Sequence, residues 1–401
     1  MMVHDLDELV APLSVEAFLG EYWGARPFVL HRHVDAAYRG LPCTSDFEHL
    51  AYALTNPRDG WVSVVRTNAR PIGEDMLTEE GLLNLTSLYA AYDAGYSVLL
   101  NQVQRRHRAT GDLCRALERE LTAHGIGLSR HIGANAYLSP PDSQGFRIHY
   151  DPHDVLILQL EGRKDWRLYG YSPQRWPRRA PERPTEPDDA GTPHEAFTLE
   201  PGDFLYVPRG MLHDASTTDS HSLHLTLSVE TLTWAHLLDE LVTSCDQLGQ
   251  DLPRGMLERT ARTDALIARI DSMLQHLNDR VAVDEARATL AGRLLANLDP
   301  LAGGGFAAVD VARTVDASTW LEHRKGNFGR VECDGDQVVL HLPGTTMRAG
   351  RSMEAAFRYV LDNERVRARD LPIRAGIREK IAFMTELVKK GFLVPPTETT
   401  P

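Results

Sequence analysis

Between residues 131 and 232 the chain is cut into short apolar runs, "ANAYLS", "DVLILQL", "DWRLYG", "DFLYVP" and "HSLHLTLSVE", with turn-forming stretches such as "SPPDSQG", "EGRK" and "PGD" between them. Turns this closely spaced leave no room for a long helix, and short strands at such intervals build an all-β sandwich or barrel. In "HSLHLTLS" the alternation is strict. Leu223, Leu225 and Leu227 face one way and His224, Thr226 and Ser228 the other, which makes one face core and the other a polar lining.

The flanking regions read differently. Near the start, "SVEAFLGEYWGARPFVLHR" is a helix capped by Ser14, a turn and the strand "PFVLHR",. "GWVSVVRTN" is a further strand, and "EEGLLNLTSLYAAYDAG" and "GDLCRALERELTAHG" have helical spacing of apolar residues,. After about 233 come the helices "WAHLLDELVTSCDQLG", "TDALIARIDSMLQHLNDRV" and "VDEARATLAGRLLANL", whose apolar stripes suit a bundle or a dimer surface,. From 327 a strand "QVVLHLP", a helix "SMEAAFRYVLDN", a helix "REKIAFMTELVKKG" and a final "FLVPP" follow the order of a winged helix. A chain of 401 residues exceeds one ordinary core,. The expected class is α+β, with a catalytic β-barrel domain over 1–232, a helical region over 233–326 and a winged helix over 327–401.

Two stretches carry chemistry. "HYDPHDVLILQLEGRKDW" places His149, Asp151 and His153 at alternate positions. On a strand His149 and Asp151 would point to one side and grip one ion. In "PGDFLYVPRGMLHDAS" the spacing of Gly202, Pro208, Gly210 and His213 reproduces the second cupin motif, in which the Pro and Gly residues turn the chain so that the histidine projects into the barrel mouth,. Two imidazoles and one carboxylate form a facial triad that leaves three coordination positions open, a set that favours Fe(II). His153 shares the expected strand face and is a rival ligand or an outer contact; His221 and His224 are rivals for the third position. Lys164 stands at a strand start beside Trp166, where a cation can neutralise the far carboxylate of a dicarboxylate co-substrate. Arg147 and Arg163 are the alternatives for that task. Asn135 and Tyr137 share a face of "ANAYLS" and can donate hydrogen bonds to the same carboxylate. The stretch 172–193, rich in Pro, Arg and acidic residues, is an exposed loop or a mobile rim of the site,.

These stretches, with "HSLHLTLS" and the opening "FLGEYWGARPFVLHR", resemble the JmjC-type 2-oxoglutarate oxygenases of the ribosomal-oxygenase group, which includes bacterial arginine hydroxylases and human nucleolar histidine hydroxylases. The resemblance covers most of the chain and is most specific in the barrel. It implies a double-stranded β-helix followed by a helical dimerisation region and a winged helix, hence a homodimer. It also implies Fe(II) on His149, Asp151 and His213, and 2-oxoglutarate held by Lys164 with Asn135, Tyr137 and Thr226. With O2 as oxidant, such an enzyme hydroxylates a His or Arg side chain, here of a ribosomal protein. His153 departs from the group, whose members tend to be apolar or aromatic there.

Other classes fit less well. A tailoring hydroxylase of a small peptide or metabolite keeps the same chemistry with another substrate. A metal-binding sensor acting through the winged helix would need a basic surface, yet 327–401 holds 12 Lys and Arg against 10 Asp and Glu,. Demethylation suits the fold, but no methyl-lysine cage is marked. The formal net charge of −13 argues against broad nucleic-acid binding,. No apolar run reaches membrane-helix length. The start "MMVHDLDELV" has no signal-peptide core, and the four cysteines are scattered, so a reducing, cytoplasmic setting is expected,.

Overall fold

The computed structural model describes residues 3–32, 34, 37–53, 61–67, 76–80, 82–181, 183–245, 278–297, 305–324 and 327–396, with 251, 264, 267, 268, 270, 271, 274 and 275. The chain divides into two compact units: Met1–Gly125 with His131–Glu230, and Ile126–Arg130 with Thr231–Pro401.

Among the described residues the first unit holds ten strands: β1 (Phe28–Leu30), β2 (Val62–Val65), β3 (Ser97–Leu100), β4 (Gly133–Ser139), β5 (Asp154–Gly162), β6 (Lys164–Tyr171), β7 (Glu195–Leu199), β8 (Phe204–Val207), β9 (Met211–Ser216) and β10 (Ser222–Val229). Seven form an antiparallel sheet in the order β1-β8-β5-β10-β4-β3-β2, and three form a second sheet, β7-β6-β9. The sheets meet through one apolar cluster: Val155, Ile157, Leu205 and Val207 from the larger, Trp166, Leu168, Leu199 and Met211 from the smaller. Each such side chain contributes about 1.5–3 kcal/mol on burial. Because side chains alternate, the residues between these positions fall on the opposite faces. Leu223, Leu225 and Leu227 are fully buried on one side of β10, while His224 and Thr226 line a cavity on the other.

The N-terminal segment closes one sheet edge. Ser14 caps the helix Val15–Glu21, its side chain accepting from the Ala17 N–H at 3.2 Å,. β1 then pairs with β8, and Phe18 and Trp23 pack on Tyr206. The "PGD" turn is built around the fully buried Asp203, which accepts from the backbone N–H groups of Arg32 and Glu200 at 2.9 and 3.0 Å. Gly202 has φ +94°, and a Cβ there would sit 2.4 Å from the Val34 carbonyl oxygen,.

In this unit three strands differ from expectation. β3, β7 and β9 lie where no strand is anticipated; in β7 only Phe197 and Leu199 turn inward, too short an alternation to announce a strand. The helix expected over 79–95 is Leu85–Asp93, because Asn84 caps it by accepting from Ser87 N–H at 3.2 Å.

In the second unit the helix Trp234–Thr243 packs Leu237 and Leu241 on Ala282, Val283 and Ala286 of the helix Arg280–Asn297. Of the helix expected over 263–281, residues 263, 265, 266, 269, 272, 273, 276 and 277 lie outside the described residues, and 264, 267, 268, 270, 271, 274 and 275 are helical. A short helix Gly305–Ala312 and helices Glu354–Asp362 and Ile377–Lys389 share one core with the strands β11 (Leu321–His323), β12 (Arg330–Asp334), β13 (Gln337–Leu342), β14 (Thr345–Gly350), β15 (Arg365–Val366) and β16 (Leu393–Val394). These pair as β15-β11-β16 and β12-β13-β14. Among the described residues no helix is long and apolar enough to cross a membrane.

Candidate metal centre

The His-x-Asp segment is not a strand, contrary to expectation: β5 begins only at Asp154. His149 is held by a single antiparallel bridge to His213. Its N–H donates to the His213 carbonyl at 3.1 Å, and the His213 N–H donates back at 2.8 Å. Two residues on, the Asp151 carbonyl accepts from the Gly210 N–H at 2.9 Å. The side chains of His149, Asp151 and His213 then converge, with one ligand atom from each lying within 4.8 Å of the others. Among the described residues this is the only such group of three or more His, Cys, Asp and Glu. His213 Nε2 lies 3.6 Å from Asp151 Oδ2.

The rival histidines fall elsewhere. The chain bends at Pro152–His153, so the expected alternation does not carry past Asp151, and His153 stays out of the cluster. His221 lies 3.7 Å from Glu161. His224 is on the cavity wall, stacked on Tyr137 with ring centroids 4.7 Å apart.

Both clustered imidazoles are oriented through Nδ1, which lies 2.8 Å from the Arg147 carbonyl for His149 and 3.0 Å from the Met211 carbonyl for His213. A carbonyl only accepts, so Nδ1 carries the proton and Nε2 keeps its lone pair for a metal. Burial, and then the neighbouring His149, push the His213 pKa down to about 4, which keeps the ring neutral,. Two imidazoles and a carboxylate, with the rest of the cavity in front, fit Fe(II).

Two further devices hold the cluster. Gly210 has φ +78°, and a Cβ there would lie 2.9 Å from the Arg175 carbonyl oxygen. The buried Asp214, next to His213, accepts from Arg167 at 2.8 and 2.7 Å and from Gln144 Nε2 at 3.1 Å. It ties the strand after His213 to the segment before His149. Asp214 is not among the expected site residues, because its link to Arg167 exists only through the β6–β9 pairing.

The cavity has a volume of about 210 Å³. His149, Asp151 and Phe146 stand at its more open part; Lys164, Ser139 and His224 are buried, with Lys164 only 6% exposed. Lys164 Nζ donates to Ser139 Oγ at 3.0 Å, and burial lowers its pKa to about 7. Among the described lining residues it is the single lysine or arginine. The turn before it decides this. Gly162, at φ +62°, passes so close to His221 that a Cβ would lie 1.8 Å from the His221 carbonyl oxygen. Arg163 then points outward to both Asp219 oxygens at 2.8 Å, and Lys164 points inward. Arg147 pairs with Glu186 at 3.3 Å outside the cavity.

Tyr137 and Thr226 are on the wall, and burial raises the Tyr137 pKa to about 12, so the phenol stays protonated. Asn135 is not on the wall: its Oδ1 accepts from the Gln102 N–H at 3.0 Å, and its side chain hydrogen-bonds to that of Tyr137. The stretch 172–193 is anchored beside the site near its start and at its middle. Arg175 stacks on Tyr171 at 3.5 Å and donates to the Gly24 carbonyl at 2.7 Å, while the Thr185 N–H donates to the Ile148 carbonyl at 2.9 Å.

Residues 116–237, which include this cluster, match the family model of the JmjC domain. This chain carries a JmjC domain. It is 32% identical over 293 residues to ribosomal oxygenase 2 of Rattus norvegicus, covering 69% of this chain and 60% of that protein. Over 413 residues it is 30% identical to the bifunctional lysine-specific demethylase and histidyl-hydroxylase NO66 of Aedes aegypti, covering 96% of this chain and 62% of that one. The chain therefore spans about three fifths of the length of these two relatives. In fold, the protein is similar to the ribosomal oxygenase YcfD of Escherichia coli, whose structure is in complex with cobalt and 2-oxoglutarate. The TM-score is 0.57 at 18% identity, over 96% of this chain and 98% of YcfD.

Proposed function

We propose that the protein is an Fe(II)- and 2-oxoglutarate-dependent hydroxylase that acts on a His or Arg side chain of a ribosomal protein. The observation that carries this reading is the convergence of His149, Asp151 and His213 in the same cavity as the buried Lys164. When bound, Fe(II), 2-oxoglutarate and O2 supply oxidation of a C–H bond coupled to loss of CO2 from the 2-oxo acid. The chain's part is to hold and to exclude. His149, Asp151 and His213 would hold the metal,. Lys164 neutralises the far carboxylate, with Tyr137 and Thr226 beside it and Asn135 acting through Tyr137. Val155, Ile157, Trp166 and Ala215 make that wall apolar and keep water out,. Phe146, with its ring 5.6 Å from that of His149, flanks the side from which a substrate side chain enters.

The substrate class is supported by the relatives named ribosomal oxygenase and by the net charge of −13, which attracts basic partners such as ribosomal proteins,. Incubation with Fe(II), 2-oxoglutarate and a panel of ribosomal-protein peptides should give succinate and a +16 product in step. Turnover only with a small peptide natural product or a free amino acid would replace this reading with that of a tailoring enzyme.

The same reading includes the division into a catalytic domain (1–232), a dimerisation region (233–326) and a winged helix (327–401), a cytoplasmic setting, and no strong nucleic-acid binding. The helix Trp234–Thr243 supports a homodimer: Trp234, Leu238 and Val242, four residues apart, are 80%, 46% and 44% exposed along one stripe, beside the packed Leu237 and Leu241,. Light scattering at micromolar concentration should show a dimer, and Trp234→Asp with Leu238→Asp a folded monomer. A monomeric native protein counts against the assembly.

A further inference from the structure

His224 has a role that the metal cluster does not explain. Its ring is 3% exposed, lies nearly parallel to Tyr137 (interplanar angle 7°), and meets Trp166 edge-on at 5.7 Å. It lines the cavity at the buried end, with Lys164 and Ser139. Its Nδ1 is buried and has no hydrogen-bond partner. A neutral imidazole has one N–H and one lone pair. Placing the proton on Nδ1 would bury an unpaired donor, which is costly, and would leave only a lone pair for the cavity. With the proton on Nε2, the sealed nitrogen holds only a lone pair, and the nitrogen left to meet a ligand is a donor. Burial and the charge of Lys164 both hold the ring neutral. The Trp166 indole N–H is likewise buried without a partner. One cation with uncharged donors around it suits one carboxylate, whereas a second buried cation would be repelled by the first.

We propose that His224 is a neutral Nε2–H donor which, together with Lys164, binds the distal carboxylate of a 2-oxo dicarboxylic acid. It selects such an acid over 2-oxo acids that lack this group. The proposal rests on the co-substrate reading above. It treats His224 as a binding residue rather than as a metal ligand or a packing residue.

The test uses the full chain loaded with Mn(II) in place of Fe(II). Calorimetry compares 2-oxoglutarate with 2-oxopentanoate, which has a methyl group in place of the distal carboxylate, on the native protein, His224→Phe and Lys164→Ala. Phe keeps the ring stack and removes the donor. His224→Phe should bind 2-oxoglutarate about 10- to 100-fold more weakly, with 2-oxopentanoate and Mn(II) affinities unchanged. Nitrogen-15 NMR of the native protein should place the His224 proton on Nε2, a readout that needs no variant to fold. The proposal is overturned if His224→Phe binds 2-oxoglutarate normally, if it weakens both acids equally, or if the proton is on Nδ1. An effect at Lys164 with none at His224 sinks this inference alone, whereas a native protein that does not bind 2-oxoglutarate sinks the co-substrate reading as well.

Discussion

Alanine at His149, Asp151 or His213 should abolish stoichiometric Fe(II) binding and with it turnover, whereas His153→Ala and His221→Ala should keep the metal. Each of the three supplies one of only three protein donors. Disturbing even an outer contact of a metal site typically costs about 10- to 100-fold in affinity or activity, and losing a ligand costs more. Metal analysis of the purified variants, with anaerobic Fe(II) titration, measures the effect. His213→Ala should be the most informative. Its side chain is removed while the backbone bridge to His149 remains, so metal loss can be separated from misfolding by an unchanged apo-protein melting temperature. Retention of iron by His213→Ala together with its loss from His153→Ala would show that the cluster is not the metal centre. Metal removal should also lower the melting temperature of the native protein, because a ligand present at 100 times its Kd stabilises the folded state by about 2.7 kcal/mol.

The second large effect is expected at Lys164. Removing one partner of a desolvated charge pair costs about 2–5 kcal/mol, so Lys164→Ala should weaken 2-oxoglutarate binding by roughly 30- to 5,000-fold and leave metal binding intact. The pH dependence carries a sign. Burial depresses the Lys164 pKa to about 7 in the ligand-free protein, and only the protonated amine attracts a carboxylate. Affinity should therefore be fully present below pH 7 and fall as the pH rises through about 7, towards tenfold per unit well above it. Lys164→Ala should remove this dependence. Calorimetry from pH 6 to 9 at constant ionic strength measures both. An unchanged affinity in the variant would remove Lys164 from the site, and among the described lining residues no arginine is at hand to replace it: Arg163 is engaged by Asp219 and Arg147 by Glu186, both outside the cavity.

Much of the site is legible in the linear chain because its chemistry is written in spacing. The alternation of "HSLHLTLS" separates core from cavity wall, with Leu223, Leu225 and Leu227 buried and His224 and Thr226 lining the cavity. The Gly and Pro residues around His213 mark turns whose positive φ angles recur in the fold. Lys164 stands out as a lysine at the start of an apolar strand. What the chain could not settle are the places where alternation stops. Strand periodicity assigns a face only while the backbone stays extended, and the bend at Pro152–His153 resets the phase and takes His153 away from Asp151. Asn135 and Tyr137 share a face of β4, yet one accepts from Gln102 and only the other is on the cavity wall. Gly162 decides that Arg163 faces outward and Lys164 inward, through a close approach to a residue 59 positions away. The largest step is the meeting of His149 with His213. They are sixty-four positions apart, and two backbone hydrogen bonds join them. Local propensity cannot specify a contact of that length; it forms when the two sheets bury Val155, Ile157, Trp166 and Met211 against each other, because only that packing brings β9 alongside the segment that carries His149.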